Sequence, residues 1–207
     1  MNNALLLVDL QNDFCFNGAL AVPEGDEVIK VANQAIHNFR RRNQPIIASL
    51  DWHPANHKSF AVNSGTQVGE SGILNGLPQV WWPVHCVEKT QGAMLHQQLE
   101  KEYINKLFVK GCDCDVDSYS AFFDNGKQNS TGLNEWLSGQ KIERLTILGL
   151  ATDYCVKYTV LDGLRLGYAV DVVIDGCRGV NLRPDDSNNA LLEMQAEGAR
   201  LLKLEEI

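Results

Sequence analysis

Residues 144–175 read R-L-T-I-L-G-L-A-T-D-Y-C-V-K-Y-T-V-L-D-G-L-R-L-G-Y-A-V-D-V-V-I-D. A short apolar run, 144–150, passes through a turn into helical spacing over 153–166, and a second apolar run follows over 169–175. This is a strand–helix–strand unit. Its two strands must lie parallel, because a crossover of this length carries the chain back to the same end of a sheet. The rhythm continues outward in both directions. Strands are predicted over 4–9, 45–51, 106–110 and 199–204, and helices over 26–42, 92–102, 133–137 and 184–197. The first helix carries its apolar stripe at Val28, Ile29, Val31, Ala32, Ala35, Ile36 and Phe39. The basic run that ends it, Arg40-Arg41-Arg42, is a solvated C-terminus that suits the helix dipole. The expected fold is α/β: a three-layer αβα arrangement, with a mostly parallel central sheet of about six strands and helices on both faces. One domain is expected to span residues 1–207.

Bulk composition excludes several classes of partner. The 207 residues carry 18 basic and 26 acidic side chains, a net charge of −8. An acidic surface repels nucleic acid and anionic membranes, so neither is expected as a partner. No apolar run approaches the roughly 20 residues of a membrane span, and the apolar start is too short for a signal segment. The six cysteines are scattered apart from Cys112 and Cys114, which suits reduced thiols and a cytoplasmic location.

In open α/β sheets ligands bind beyond the carboxyl ends of the strands. The predicted strands deliver there Asp9, Asp51, Lys110 and the turn Gly149-Leu150-Ala151-Thr152-Asp153, followed by Cys155. Cys155 falls in the first turn of a helix, with Thr152 or Asp153 as its cap. A helix N-terminus and a nearby lysine both favour thiolate, so its pKa is expected to fall. The alternative is a buried structural cysteine. Asp9 closes an apolar strand and needs a cationic partner, for which Lys110 is the candidate. In a hydrolase Asp9 would accept the thiol proton and return it to a leaving amine. In a merely structural role the two would form a buried ion pair.

Asp51-Trp52-His53 is a second constellation. Alternation along a strand points the carboxylate and the imidazole the same way, which suits a divalent transition metal, with His57 or His85 as a third ligand. His37 and His96 read as non-ligands. Asp113, Asp115 and Asp117 read as a solvated face. Phe14, Phe16, Trp52, Trp81, Trp82, Tyr119, Phe122 and Phe123 gather near the same sheet edge, where aromatic walls suit a flat ring substrate. Two long loops, 52–91 and 111–130, interrupt the rhythm, as functional loops commonly do.

These residues carry a resemblance. A-L-L-L-V-D-L-Q-N-D-F (residues 4–14), D-W-H-P-A-N-H-K-S-F (51–60), W-P-V-H-C-V (82–87), Lys110-Gly111, D-S-Y-S-A-F (117–122) and G-L-A-T-D-Y-C-V (149–156) are similar to the signatures of the nicotinamidases, within the isochorismatase-like cysteine hydrolases. The resemblance spans nearly the whole chain. It implies a catalytic triad of Asp9, Lys110 and Cys155, and an oxyanion hole from the N–H groups of Ala151 and Cys155 beside a cis Leu150–Ala151 bond. It implies one divalent metal, zinc, iron or manganese, on Asp51, His53 and His85. His57 is either a fourth ligand or faces a water. Phe14, Trp82 and Tyr119 are implied to contact the ring of nicotinamide, which would be hydrolysed to nicotinate and ammonia in NAD salvage. A homo-oligomer is compatible with it. The rivals are another hydrolase on this scaffold, acting on N-carbamoyl amides or isochorismate, and a catalytically dead nicotinamide-binding protein.

Overall fold

In a computed structural model, which describes residues 2–207, six parallel strands form one sheet in the order β5-β2-β1-β6-β7-β8. These are β1 (Asn3–Val8), β2 (Ile46–Asp51), β5 (Lys106–Lys110), β6 (Arg144–Leu150), β7 (Ala169–Arg178) and β8 (Arg200–Leu202). Residues Ala4 to Val8 are wholly buried. An unbroken apolar run of this kind belongs in a central strand covered on both faces.

Both faces are covered here. Leu148 of β6 meets Val31 of α1 (Gly25–Arg41) beside Gly176. Leu145, an odd number of residues away and therefore on the opposite face, lies against Gly163 of α4 (Lys157–Arg165). α3 (Leu133–Gly139) and α5 (Asp186–Ala196) complete the helices of the main layers. No helix among the described residues is long and apolar enough to cross a membrane.

The register brings the strand ends level. Val8 pairs with Ser49 on one side and Gly149 on the other, and Asp51 pairs with Lys110. Gly149, at φ 142°, is needed for this closeness: a Cβ there would fall 2.1 Å from the Val8 carbonyl oxygen.

The structure corrects the sequence reading in two segments. The helix expected over 92–102 is absent apart from a 3-10 turn at Lys101–Tyr103. Its backbone is used otherwise: the N–H groups of Asn12 and Asp13 donate to the carbonyls of Met94 and Gly92, and His96 N–H donates to Leu10. The 52–91 loop contains unanticipated elements, the short α2 (Ala61–Ser64) and a hairpin of β3 (Ser71–Leu74) and β4 (Leu77–Val80). They carry no long apolar periodicity that sequence reading could detect.

Candidate active site

One ammonium group lies at the centre of the level strand ends. Lys110 Nζ donates to Asp51 Oδ1 at 2.8 Å and to the Ser118 carbonyl at 2.8 Å, lies 3.0 Å from Asp9 Oδ2, and reaches Cys155 Sγ at 3.4 Å. Asp9 is turned toward it by a left-handed backbone (φ 50°), and its Oδ1 accepts the Ser49 hydroxyl at 2.6 Å. Non-glycine residues in this region carry strain, which here aims a carboxylate. The side chains of Asp9, Lys110 and Cys155 are all buried.

Burial decides the charges. It pushes the Asp9 carboxyl up, an effect that Lys110 opposes without overcoming. Burial works against the charge of Lys110, but Asp51 and Asp9 outweigh it and hold the ammonium well above its ordinary range. The Cys155 thiol was expected to fall and instead stands well above its ordinary value. Burial is the main cause, Lys110 lowers it less, and Asp9 raises it further. The reason is local: the thiol is buried, and the lysine's charge is already shared between two carboxylates.

Cys155 lies in a π-helical turn, Thr152–Val156, that leads into α4. The expected cap is also corrected. No side chain caps this turn. Asp153 instead accepts the N–H groups of Val180 and Asn181 at 2.9 and 2.7 Å, which fixes the loop after β7. The Leu150–Ala151 peptide is cis.

Asp51, His53 and His85 meet beside the lysine. Asp51 Oδ2 is 3.1 Å from His53 Nε2 and 3.4 Å from His85 Nε2. His53 Nδ1–H donates to the Gly111 carbonyl at 2.9 Å, and His85 Nδ1–H to the Pro83 carbonyl at 2.7 Å. With their protons placed there, both Nε2 atoms turn lone pairs toward a carboxylate oxygen. Three converging acceptors repel one another unless a cation lies between them, so the donor set fits a divalent metal. Burial opposes the charge of Asp51, and the neighbouring Lys110 ammonium helps to hold the carboxyl well below its usual range. Gly111, at φ 68°, admits the His53 ring, since a Cβ there would fall 2.5 Å from it.

Several residues that sequence reading missed position this centre. The Gln11 side chain grips the backbone of Asp51, accepting its N–H at 2.8 Å and donating to its carbonyl at 2.7 Å. Asp13 Oδ2 accepts the N–H of Cys86, next to His85, at 2.7 Å. Both belong to the quoted D-L-Q-N-D-F run, but nothing in their spacing announces these partners. Asp117, expected on a solvated face, is buried with His53 and His57, while Asp113 and Asp115 remain exposed.

A cavity of about 30 Å³ lies between thiol and metal-type cluster. Phe14, Trp82, Tyr119, Tyr154 and Val180 line it, together with Cys155, Asp51, His85 and Asp117. The three sequence-predicted aromatics are therefore present. Trp82 Nε1 donates to Tyr119 Oη at 3.3 Å, and Tyr154 stands edge-on to Trp82 at 4.9 Å between centroids. This volume holds about one or two waters. None of the six cysteines is paired. His37 contacts Glu100, and His96 lies near Asp26, both away from this centre.

Comparison with known proteins agrees with this geometry. The isochorismatase domain model matches residues 3–206. The chain is 57% identical to a nicotinamidase of Escherichia coli K12, over 97% of this chain and 94% of that protein. Its fold matches a nicotinamidase/pyrazinamidase of Acinetobacter baumannii with a TM-score of 0.94, at 35% identity and covering 99% and 97% of the two chains. It matches a pyrazinamidase of Pyrococcus horikoshii, in complex with zinc, with a TM-score of 0.81, at 34% identity and covering 98% and 99%. The chain belongs to the isochorismatase-domain family and, within it, to the nicotinamidases.

Proposed function

We propose that this chain hydrolyses nicotinamide to nicotinate and ammonia through a thioester on Cys155, a step of NAD salvage. One observation carries the reading: a single ammonium, Lys110 Nζ, touches the thiol, the carboxylate of Asp9 and the carboxylate of the metal-type cluster.

As Cys155 Sγ bonds to the carboxamide carbon, its proton passes to Asp9, and the carbonyl π electrons move onto oxygen. The N–H groups of Ala151 and Cys155 hold that oxyanion. Asp9 then gives its proton to the amide nitrogen, the C–N bond breaks, and ammonia departs. Water attacks the thioester as Asp9 takes one of its protons. The C–S bond breaks, the proton on Asp9 returns to Cys155, and the acid leaves and ionises to nicotinate, its proton going to solvent or the released ammonia. The high resting pKa of the thiol is consistent with this. The thiol keeps its proton in the free site, Asp9 is the ionised acceptor beside Lys110, and the proton moves only as the sulfur bonds. Lys110 holds Asp9 and the thiol in contact throughout.

Asp51, His53 and His85 would hold a divalent metal; zinc, iron and manganese all suit one carboxylate and two imidazoles. When bound, it supplies a Lewis-acid contact for the pyridine nitrogen. Phe14, Trp82 and Tyr119 hold the ring faces, and so select a flat heteroaromatic amide.

Ammonia release from nicotinamide, measured before chelation, after it and after metal return, tests the whole reading. Release from N-carbamoyl amides but not from nicotinamide would overturn it. Two variants test parts of it. His85→Ala removes one of three ligands, so metal content by elemental analysis should fall below about a tenth, and KM should rise. Full occupancy would exclude His85 as a ligand. Asp153→Asn swaps an acceptor of two backbone N–H groups for an amide whose NH₂ faces one of them. The Val180 wall should loosen, raising KM about tenfold while kcat falls less. An unchanged KM would show that the Val180 loop does not need this clamp.

A further inference from the structure

Four residues of the active-site cavity wall are half-buried, Leu20, Tyr119, Tyr154 and Val180, so they stand at its mouth. Two of them face a second space as well. Tyr119 and Tyr154 also line a neighbouring cavity of about 380 Å³, between the β3–β4 hairpin and the chain that runs from Leu182 into α5. That volume lies in the range of small-molecule sites. No other residue is common to the two cavities, so these tyrosines are the partition between them.

The two are held differently. The Tyr119 hydroxyl accepts Trp82 Nε1–H at 3.3 Å and Gln79 Nε2–H at 3.4 Å, and its ring stacks on Tyr158 at 5.3 Å. The Tyr154 hydroxyl has no hydrogen bond among the described residues. Its ring meets Trp82 and Tyr119 edge-on, at 4.9 and 5.3 Å between centroids. Burial, and then Asp153 and Asp186, push the pKa of that hydroxyl up to about 12. Both carboxylates line the second cavity, so the hydroxyl is turned toward it while the ring walls the first. Tyr154 is thus the removable part of the partition: cutting it back breaks ring contacts but no side-chain hydrogen bond.

We infer that Tyr154 is a specificity-determining residue of this site: its ring closes the substrate cavity against the second cavity, and so limits the substrate to an amide on a single ring. This rests on the hydrolase reading above. Lys110 Nζ lies 3.4 Å from the thiol and 2.8 Å from Asp51, so the carboxamide and the ring nitrogen of a bound pyridine both lie on the lysine side. C2, the carbon between them, then faces the buried lysine, and C5, opposite it, points outward to the half-buried mouth. A group on C5 reaches the tyrosines there. Behind them Tyr158, Leu182 and Pro78 offer apolar surface to an aryl group once the Tyr154 ring is gone.

The test substrate is nicotinamide bearing a phenyl group on C5, with ammonia release as the readout. Wild-type protein and Tyr154→Phe should hydrolyse it at least about tenfold less efficiently than nicotinamide. In Tyr154→Ala the kcat/KM ratio of aryl amide to nicotinamide should rise by at least about tenfold, the scale of discrimination that a hydrophobic wall provides. Tyr154→Val gives the same reading if the alanine variant does not fold. Adding Leu182→Trp, which fills part of the second cavity, should reverse the gain without lowering the parent variant's turnover of nicotinamide. Calorimetry on a Cys155→Ala background reads the same wall without turnover: the aryl amide should bind only when Tyr154 is also cut back. Wild-type turnover of the aryl amide within about tenfold of nicotinamide, a smaller rise in the ratio, or a gain that survives Leu182→Trp would each overturn the inference. If wild-type protein leaves nicotinamide itself intact, the hydrolase reading falls, and binding to the Cys155→Ala pair still decides for or against the wall.

Discussion

Cys155→Ala should lower kcat for nicotinamide hydrolysis by at least about a thousandfold, roughly 4 kcal/mol of transition-state stabilisation. The reasoning is chemical. No other thiol lines the cavity, and a water in place of Sγ would lack the bond that delivers the acyl group to the enzyme. The fold should survive, because the change removes one buried sulfur and leaves Asp9, Lys110 and Asp51 paired as before. Nicotinamide binding by calorimetry should persist within about tenfold, since the cavity's aromatic walls and the Asp51, His53 and His85 cluster are untouched. Hydroxylamine added during turnover should trap the acyl group from wild-type protein as a hydroxamate, and trap none from the variant. Residual activity above one part in about a thousand, or an acyl group found on another cysteine, would remove Cys155 from this role.

Much of this site was legible in the sequence because it obeys strand arithmetic. Asp9, Asp51 and Lys110 each follow an apolar run, and parallel strands of a doubly covered sheet end at a common edge. The pairing of Asp51 with Lys110 in register makes their salt bridge a direct consequence of that topology. What stayed hidden depends on loops. Gln11 looks like any polar residue after a strand until the 91–99 segment folds back to form its second carbonyl partner, Ala93. Asp117 alternates with two solvated acids, and only the arrival of Gln79 from an unforeseen hairpin shows that it is buried. The thiol pKa was misjudged for a related reason. A sequence names the charges near a sulfur but not how many carboxylates divide them, nor whether water reaches the site.

Lys110→Met should be the most damaging substitution to stability among the site residues, and its damage should depend on pH. The side chain is fully enclosed, and methionine fills similar volume, so little packing is lost. What is lost is the counter-charge of two buried carboxylates. Removing one partner of a buried pair costs about 3–5 kcal/mol. For a domain of this size that lowers Tm by roughly 6–20 °C. The pH dependence follows from Asp9. Burial already raises its pKa and Lys110 opposes the rise, so the variant should raise it further. A carboxyl whose folded pKa exceeds its unfolded value binds protons more readily when folded. Stability is then lost as pH climbs from the unfolded value near 3.9 to the raised folded one. The Tm deficit of the variant should accordingly be smaller at pH 5.5 than at pH 8, as differential scanning calorimetry of metal-free protein can measure. Adding Asp9→Asn to Lys110→Met removes one of the two stranded charges, so the double variant should recover a substantial part of the deficit at pH 8. It should recover no activity, since the proton carrier is gone. A deficit independent of pH, or a double variant no more stable than the single one, would mean that Asp9 is not held ionised by Lys110. The proton relay assigned to the pair would then need a different base.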